Sequence, residues 1–334
     1  MPGQLWHDRA MDRRRLALIG AGWITPAHLA ALDRLGRTDL VAVVAGRLER
    51  AQATAAPRGV AAYDDLERML DEQRPEMAYV AVPPSRAIPI VESLVARGIP
   101  FLAEKPLAAL DAEGPERVAA AIEQAGLVAA VGYHLRGLEA LPEVRERLAA
   151  RPASLVVARW LDATPGPTWW HTEAGGGGQV VEQATHLYDI ARSLVGEATV
   201  IGAASVREEP VVPPGADVVD ATAAVLRFES GAIGSFANTR RLAGATIDIS
   251  FASDGLLSTI RRAGTDPGGW AIDFDDGRTV VTRLVGRDPY EVQAEAFLDA
   301  VDAGDPTRVL SSYADAVKTH RLTRAVVAAT GHGG

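Results

Sequence analysis

Short apolar runs and longer amphipathic segments alternate over the first 135 residues of the chain. Continuous apolar runs are typical of buried parallel strands, and apolar positions three and four apart are typical of helices. The runs predict strands at 16–19, 40–45, 77–82, 100–103 and 127–131. The segments between them predict helices, among them 27–35, 64–70, 87–96 and 116–125. This βαβ succession predicts a doubly wound α/β domain over residues 13–135.

The pattern changes after residue 135. A predicted helix over 138–150 leads to a strand over 155–161, a loop rich in Gly and Pro over 164–178 and one helix over 179–195. Alternating positions then predict strands at 199–206, 221–228, 232–239, 246–252 and 278–285, with hairpin turns at 229–231 and 253–255. Helices over 290–303 and 312–329 close the chain. Residues 136–334 therefore predict an α+β domain with a large, mainly antiparallel open sheet.

Composition narrows the function. The chain has 34 basic and 43 acidic residues, a formal net charge of −9, and no long run of Lys or Arg. This balance argues against nucleic acid or an anionic membrane as a partner and favours a small molecule. Cysteine is absent, so disulfides, thiolate metal sites and thiol nucleophiles are excluded. No stretch of 18 apolar residues occurs that could span a membrane.

The N-terminal residues superficially resemble a secretory or twin-arginine signal, because arginines 13–15 precede the apolar residues 16–19. The apolar run is only four residues long and opens the first βαβ unit, so we expect a cytoplasmic protein. Residues 1–12 have no periodicity and predict a flexible extension, and Met11 could itself be the initiator.

Gly20-Ala21-Gly22 follows the first predicted strand and opens a helix, the context that a dinucleotide-binding Rossmann fingerprint requires. Thr25 replaces the third glycine, and a glycine turn without a cofactor remains the alternative. At the end of the second strand no acid is present to bind the ribose of NAD. Arg47, with Arg50 one turn later, could instead bind the 2′-phosphate of NADP, which favours NADP over NAD. The alternative for Arg47 is a solvated helix start.

Glu104-Lys105-Pro106 comes at the carboxyl end of a buried strand, where open α/β sheets bind ligands. A lysine there could hydrogen-bond a substrate oxygen and stabilise negative charge on it. The alternative is a lysine that pairs with Glu104 on a loop.

The segment from the glycine run at 175–178 to Asp189 is the most informative. On the predicted helix over 179–195, Glu182, His186 and Asp189 share a face. His186 suits removal of a proton from an alcohol, because imidazole titrates near neutrality, and Glu182 or Asp189 could orient it.

Two alternatives for this segment are a capped surface helix and a metal site of His171, Glu173, Glu182 and His186. The metal site is disfavoured because no H-E-x-x-H motif occurs, and we predict no metal. The absence of a G-x-S-x-G motif argues against a serine hydrolase.

Several segments in order resemble one family. They are Gly20-Ala21-Gly22 with His28, residues 80–85, Glu104-Lys105-Pro106, residues 132–136, the glycine run with His186 and Asp189, and residues 297–301. Over nearly the whole chain this set resembles the Gfo/Idh/MocA family, which includes glucose-fructose oxidoreductase and inositol dehydrogenase. The resemblance implies a Rossmann domain and a C-terminal open sheet used for homodimer or homotetramer contact.

The resemblance also implies roles for single residues. Lys105 would hold the reacting oxygen, His186 would be the general acid and base, and Glu182 stands where the family commonly has Asp. A His often found just after the 83–85 loop is replaced by Ala87. The residues expected to bind the cofactor are Gly20, Gly22, Trp23, Ile24, Arg47, Pro83, Pro84, Glu104 and Lys105. Those expected to bind substrate are Tyr133, Arg136, Trp169, Trp170 and Asp189, with packing between domains as the alternative for the tryptophans.

The sequence thus predicts an NAD(P)-dependent enzyme that interconverts a hydroxyl and a keto group on a sugar, inositol or related polyol. Two alternatives stay open: NAD-dependent glycoside hydrolysis on the same fold, and a non-catalytic cofactor-binding regulator.

Overall fold

The structure is a computed structural model that describes residues 13–208, 211, 213–264 and 269–331, so the predicted extension over 1–12 lies outside the described residues. The first domain contains strands β1 (Arg14–Ile19), β2 (Thr38–Val44), β3 (Ala61–Tyr63), β4 (Met77–Val80), β5 (Phe101–Ala103) and β6 (Ala129–Val131). Its helices are α1 (Thr25–Leu35), α2 (Leu48–Ala55), α3 (Leu66–Gln73), α4 (Ala87–Ala96) and α5 (Gly114–Ala125). All six strands are parallel, in the order β3-β2-β1-β4-β5-β6.

Successive residues of β1 enter two separate cores. Ala17 and Ile19 pack on one face of the sheet, and Leu16 and Leu18 pack on the other. Because both faces are covered, the strands consist of continuous apolar residues, and the predicted doubly wound Rossmann domain is confirmed.

The sequence prediction missed β3 and α2. β3 has three residues, of which only Tyr63 is buried, and α2 buries only Ala51 and Ala55 among polar residues. Neither segment therefore has an apolar pattern long enough to stand out.

The second domain contains an eight-stranded sheet. Its strands are β7 (Leu155–Ala163), β8 (Ala198–Val206), β9 (Ala221–Phe228), β10 (Ile233–Thr239), β11 (Arg241–Ser253), β12 (Leu256–Arg262), β13 (Trp270–Asp275) and β14 (Val280–Leu284). Its helices are α6 (Leu141–Ala150), α7 (Glu173–Gly176), α8 (Gly178–Glu182), α9 (Thr185–Val195), α10 (Pro289–Ala303) and α11 (Tyr313–Ala329). The order β14-β13-β12-β11-β7-β10-β9-β8 is antiparallel except for the pair β10 and β7, so the predicted sheet is confirmed, although β12 and β13 were not predicted.

One face of this sheet is covered and the other is open. Ile249 and Phe251 of β11 are fully buried against α6, α9 and α11. Val157, Val225 and Ile233 point to the opposite face and are 37%, 45% and 43% exposed. The open face therefore carries several solvent-exposed apolar side chains.

The last two helices return to the first domain. Phe297 and Leu298 of α10 complete the core that holds Leu16 and Leu18, and Tyr313 of α11 packs edge-to-face on Phe101 of β5. These two helices therefore connect the first sheet to the second domain through packing contacts. In the part of the chain that the structure describes, no helix combines the length and the apolar character needed to cross a bilayer.

Candidate active site

The turn after β1 has a backbone geometry that requires glycine. Gly20 has φ +112°, and a Cβ atom on it would lie 2.1 Å from the carbonyl oxygen of Ala81. At the third position of the fingerprint, the Thr25 hydroxyl donates to the Gly20 carbonyl (3.4 Å) and accepts from the Gly22 amide (3.2 Å). A threonine in place of the third glycine therefore stabilises the turn through its side chain.

This turn faces the crevice at the carboxyl ends of β1 and β4, where the order of the strands reverses. Open α/β sheets bind ligands at such a point. The backbone N–H groups of Trp23 and Ile24 donate to no acceptor within the described residues, and α1 begins directly after them. Free amides at a helix N-terminus attract an anionic group such as the pyrophosphate of a dinucleotide.

Two further predicted cofactor positions border the same edge. Arg47 is the exposed N-cap residue of α2, and neither its side chain nor that of Arg50 has a polar partner among the residues that the structure describes. Pro83 precedes a 3₁₀ turn, Pro84–Arg86, that follows β4. Both positions are available to a bound ligand.

Glu104 anchors the end of β5 to α1. Its Oε1 accepts from the ring of His28 at 2.7 Å, and Oε2 accepts from the backbone amide of Lys105 at 3.2 Å. A Cβ atom on Gly132 would lie 2.9 Å from Oε1. Burial acts to raise the pKa of Glu104, but His28 and the charge of Lys105 outweigh it and hold the pKa below its usual value. Glu104 is therefore an ionised, positioned carboxylate.

The Lys105 ammonium binds Glu182 instead of Glu104. Nζ donates to the Glu182 carboxylate oxygen Oε1 at 2.7 Å and to the Glu182 main-chain oxygen at 2.6 Å. Both side chains are almost buried, with 12% and 11% exposed. The alternative of a Lys105–Glu104 loop pair is thus corrected, because the ammonium points across the crevice into the second domain.

The predicted helix over 179–195 is interrupted, which is a correction to the sequence analysis. α8 ends at Glu182 and α9 begins at Thr185. The amide of His186 bonds the carbonyl of Gln183 at 3.4 Å instead of that of Glu182. Glu182, His186 and Asp189 consequently do not share one helical face, and the free carbonyl of Glu182 is the one that accepts from Lys105.

His186 lies at the start of α9, where its side chain packs among other rings. Its ring is 4.5 Å from that of His134 and 5.9 Å from that of Tyr133, and it stacks on Trp160 at 5.8 Å. Nδ1 is buried, and no described residue hydrogen-bonds to it. Burial, with the charges of His134 and Lys105, lowers the pKa of His186 well below its usual value. At neutral pH the imidazole is therefore a neutral base.

His134 and Tyr290 belong to this site but were not predicted as site residues. The two rings stack at 4.6 Å, and burial lowers the pKa of His134 to about 3. His134 follows β6 inside one of the segments that carry the family resemblance, which was the available signal. Tyr290 opens α10, more than a hundred residues later, and nothing local in the sequence associates it with the site.

Arg136 and Asp189, both expected to bind substrate, form an ion pair with each other. The Arg136 guanidinium donates to both Asp189 oxygens, at 2.7 and 2.6 Å, and also binds Asp315 of α11. Asp189 is 1% exposed and also accepts from Thr319. Arg136, from the turn after β6, thus links α9 to α11, and both Asp189 oxygens accept hydrogen bonds within the protein.

Tyr133 and Trp170, two of the expected substrate contacts, are also buried and hydrogen-bonded within the protein. Each is 1% exposed; the Tyr133 hydroxyl bonds Thr185 at 2.9 Å, and the Trp170 indole bonds Glu182 at 2.7 Å. Trp169 is half-buried beside Gly176, and its contact with substrate stays a prediction.

The metal alternative finds no geometric basis. His171 bonds the Pro165 carbonyl at 2.8 Å, and Glu182 binds Lys105. Among the described residues no group of three or more His, Asp or Glu side chains is arranged to hold a metal ion.

Comparison with known proteins identifies the class. A family model described as an oxidoreductase family with an NAD-binding Rossmann fold matches residues 14–133, and a Gfo/Idh/MocA C-terminal domain model matches residues 153–255. Together the two matches cover more than half of the chain. The chain therefore belongs to the Gfo/Idh/MocA family, and the resemblance noted in the sequence is confirmed. This is a family of oxidoreductases with an NAD-binding Rossmann domain.

Curated relatives are distant. The rhizopine catabolism protein MocA of Rhizobium meliloti is 27% identical over 191 residues, 56% of this chain and 59% of its own length. Inositol 2-dehydrogenase 4 of Saccharopolyspora erythraea is 31% identical over 201 residues, 58% of this chain and 56% of its own. The chain thus spans less than two thirds of these two relatives.

Solved structures share the fold over nearly the whole chain. KijD10, a 3-ketoreductase from Actinomadura kijaniata in complex with NADP and TDP-benzene, has a TM-score of 0.83 and 20% identity, covering 95% of this chain and 98% of that one. GenD2 from gentamicin A biosynthesis, in complex with NAD, has a TM-score of 0.81 and 20% identity, covering 99% and 98%.

Proposed function

We propose that the protein interconverts a hydroxyl and a keto group on a sugar, inositol or related polyol. The observation that carries the proposal is the meeting of Lys105 from the first domain with Glu182 of the second, next to the neutral base His186 and the glycine turn. The inositol dehydrogenase and ketoreductase relatives support this class of substrate.

The residues at the turn fit a nicotinamide dinucleotide. The close approach of Gly20 to Ala81 leaves no room for a side chain, and the free amides of Trp23 and Ile24 suit a pyrophosphate. Pro83, Pro84, Glu104 and Lys105 border the same crevice. When bound, the dinucleotide accepts or supplies the hydride.

The side chains of the protein handle the proton and the oxygen. Oxidation of an alcohol removes a hydride from carbon and a proton from oxygen, and His186, being neutral, takes the proton. An ammonium has three N–H donors, and Lys105 donates two of them to oxygens of Glu182. The third holds the substrate oxygen and stabilises negative charge on it. In the reducing direction His186 returns the proton.

Replacement of Lys105 tests this assignment. We expect Lys105→Ala to lower kcat by a factor of about a thousand, the scale of removing one donor to a developing oxyanion, with cofactor affinity nearly unchanged. Activity is measured with a panel of sugars and polyols, and affinity by fluorescence titration. Lys318→Ala is the control and should keep activity. Lys318 lies on α11, where it makes an exposed ion pair with Glu197. Near-normal turnover in Lys105→Ala would refute the role of Lys105.

We infer that NADP is preferred over NAD. Arg47 and Arg50 stand at the end of β2 without a polar partner among the described residues, and a guanidinium there suits a 2′-phosphate. Arg47→Ala should weaken NADPH binding about tenfold, the effect of losing one charge-assisted pair, and leave NADH binding unchanged. Equal losses for the two cofactors in the titration would contradict the inference.

We also propose that the open face of the second sheet joins two or more copies of the chain. Its exposed apolar side chains on β7, β9 and β10 would gain free energy from burial against a second copy.

A further inference from the structure

Trp170 has an unusual position for a large buried side chain. It lies in a 3₁₀ turn, Thr168–His171, ahead of the glycine run, and its ring packs against Ala216 and Val218. Its indole Nε1 donates to the carboxylate oxygen Oε2 of Glu182 at 2.7 Å. The ring fills a small core while its one polar atom reaches the site.

Glu182 is held on both sides. Oε2 accepts from Trp170, and Oε1 accepts from the Lys105 ammonium at 2.7 Å. A carboxylate that is clamped between two donors has one orientation, because rotation would break both hydrogen bonds in a nearly water-free position. The orientation of Glu182 in turn fixes that of the ammonium.

The interruption between α8 and α9 supplies the second acceptor for the ammonium. In a continuous helix the Glu182 carbonyl would accept from the amide of His186. Here that amide bonds Gln183, and Lys105 Nζ takes the free carbonyl at 2.6 Å. The lysine is thus held by two oxygens of one residue, and Trp170 is the group that holds that residue's carboxylate.

We propose that Trp170 is a positioning residue that acts through Glu182 to aim the Lys105 ammonium at the substrate oxygen. The inference rests on the proposed role of Lys105 in turnover. Without the indole N–H, Glu182 Oε2 loses its donor, the carboxylate turns, and the third N–H of Lys105 no longer points in one direction.

The chain offers a direct reporter, because Lys105 and Lys318 are its only lysines. In protein labelled with ¹³C,¹⁵N-lysine, NMR shows one side-chain signal from each. We expect Trp170→Phe to shift the Lys105 Cε and Nζ resonances toward those of an exposed lysine, with the Lys318 signal as an unmoved internal reference. We also expect kcat to fall about tenfold, the equivalent of one charge-assisted hydrogen bond, with KM nearly unchanged.

Two controls separate the N–H group from packing. Replacement of Trp170 by 3-benzothienylalanine keeps the shape of the ring but puts sulfur in place of N–H, and it should reproduce the effect of Trp170→Phe. Val218→Ala loosens the packing on the same ring but keeps the hydrogen bond. It should lower the melting temperature and leave the Lys105 signal in place.

A double-mutant cycle tests whether the effect passes through Glu182. If it does, Trp170→Phe costs about tenfold in the native background and almost nothing when Glu182→Ala is already present. The same factor in both backgrounds, or a Lys105 signal unmoved by 3-benzothienylalanine, would overturn the proposal.

The two hypotheses fail in different ways. If Lys105 is not needed for turnover, the Lys105 signal still moves in Trp170→Phe, while Lys105→Ala keeps activity. If Trp170 does not position Lys105, the signal stays in place, while Lys105→Ala is inactive.

Discussion

His134 and His186 are buried as neutral imidazoles on either side of the domain boundary. Burial is the main cause of the lowered pKa of each, and the Lys105 charge adds to it. An imidazole in water is half protonated near pH 6.5, whereas both buried rings stay unprotonated at that pH and can accept a proton. The cost is a dependence of folding on pH.

We expect the free energy of unfolding to fall as the pH is lowered from 6.5 toward 5. The unfolded chain protonates these histidines near their ordinary pKa of 6.5, whereas the folded protein keeps them neutral, so acid favours unfolding. Each contributes up to about 1.4 kcal/mol per pH unit in this window. Denaturant titrations at several pH values measure the slope. His134→Phe should have a smaller slope, and an unchanged slope would contradict the expectation.

At the scale of elements, the short helices α7 and α8 place Glu182. They join at Gly177, which has φ +81°, and a Cβ atom there would lie 2.9 Å from the carbonyl oxygen of Ala109 in the first domain. The glycine run therefore forms a tight turn between two short helices that packs against the first domain.

Gly177→Ala should displace α8 and move Glu182 away from Lys105. We expect a loss of about 1–3 kcal/mol in the free energy of unfolding, from the strained backbone and the contact with Ala109, together with lower kcat. Thermal or denaturant unfolding and steady-state kinetics measure the two effects. Gly166→Ala, in the same loop but with no atom within 4 Å of its added Cβ, should be nearly neutral. Equal behaviour of the two variants would show that the turn does not depend on glycine.

At the scale of the whole molecule, the second domain has one sheet face that its own helices do not cover. Leu155, Val157, Val225 and Ile233 are each more than a third exposed on this face. Burial of apolar area of this kind contributes about 25 cal/mol per Å², which is the main source of stability in subunit interfaces.

Val157→Glu should reduce the oligomer to a smaller species, because a carboxylate that is buried between two copies loses its hydration. Light scattering coupled to size-exclusion chromatography measures the mass. Ala149→Glu, at an exposed position of α6 on the covered side of the sheet, is the matched control and should keep the native mass. A monomeric native protein, or an unchanged mass for Val157→Glu, would contradict the proposed interface.

The sequence by itself determined the class of the fold, the family and the identity of the chemical groups. Continuous apolar strands, the Gly20 turn and the position of Lys105 after β5 are local consequences of burial and backbone geometry, so local patterns predicted them. The short strand β3 and the polar helix α2 escaped because few of their side chains are buried.

Only the tertiary structure decided which of those groups meet. Helical periodicity predicts one face for Glu182, His186 and Asp189, but the helix is interrupted after Glu182 and each side chain has a separate partner. Glu182 accepts a hydrogen bond from Lys105, His186 packs among aromatic rings, and Asp189 pairs with Arg136. These partners come from elements that are far apart in the chain. The free energy of pairing two charges depends on their distance in the folded protein, so a local sequence pattern cannot predict it.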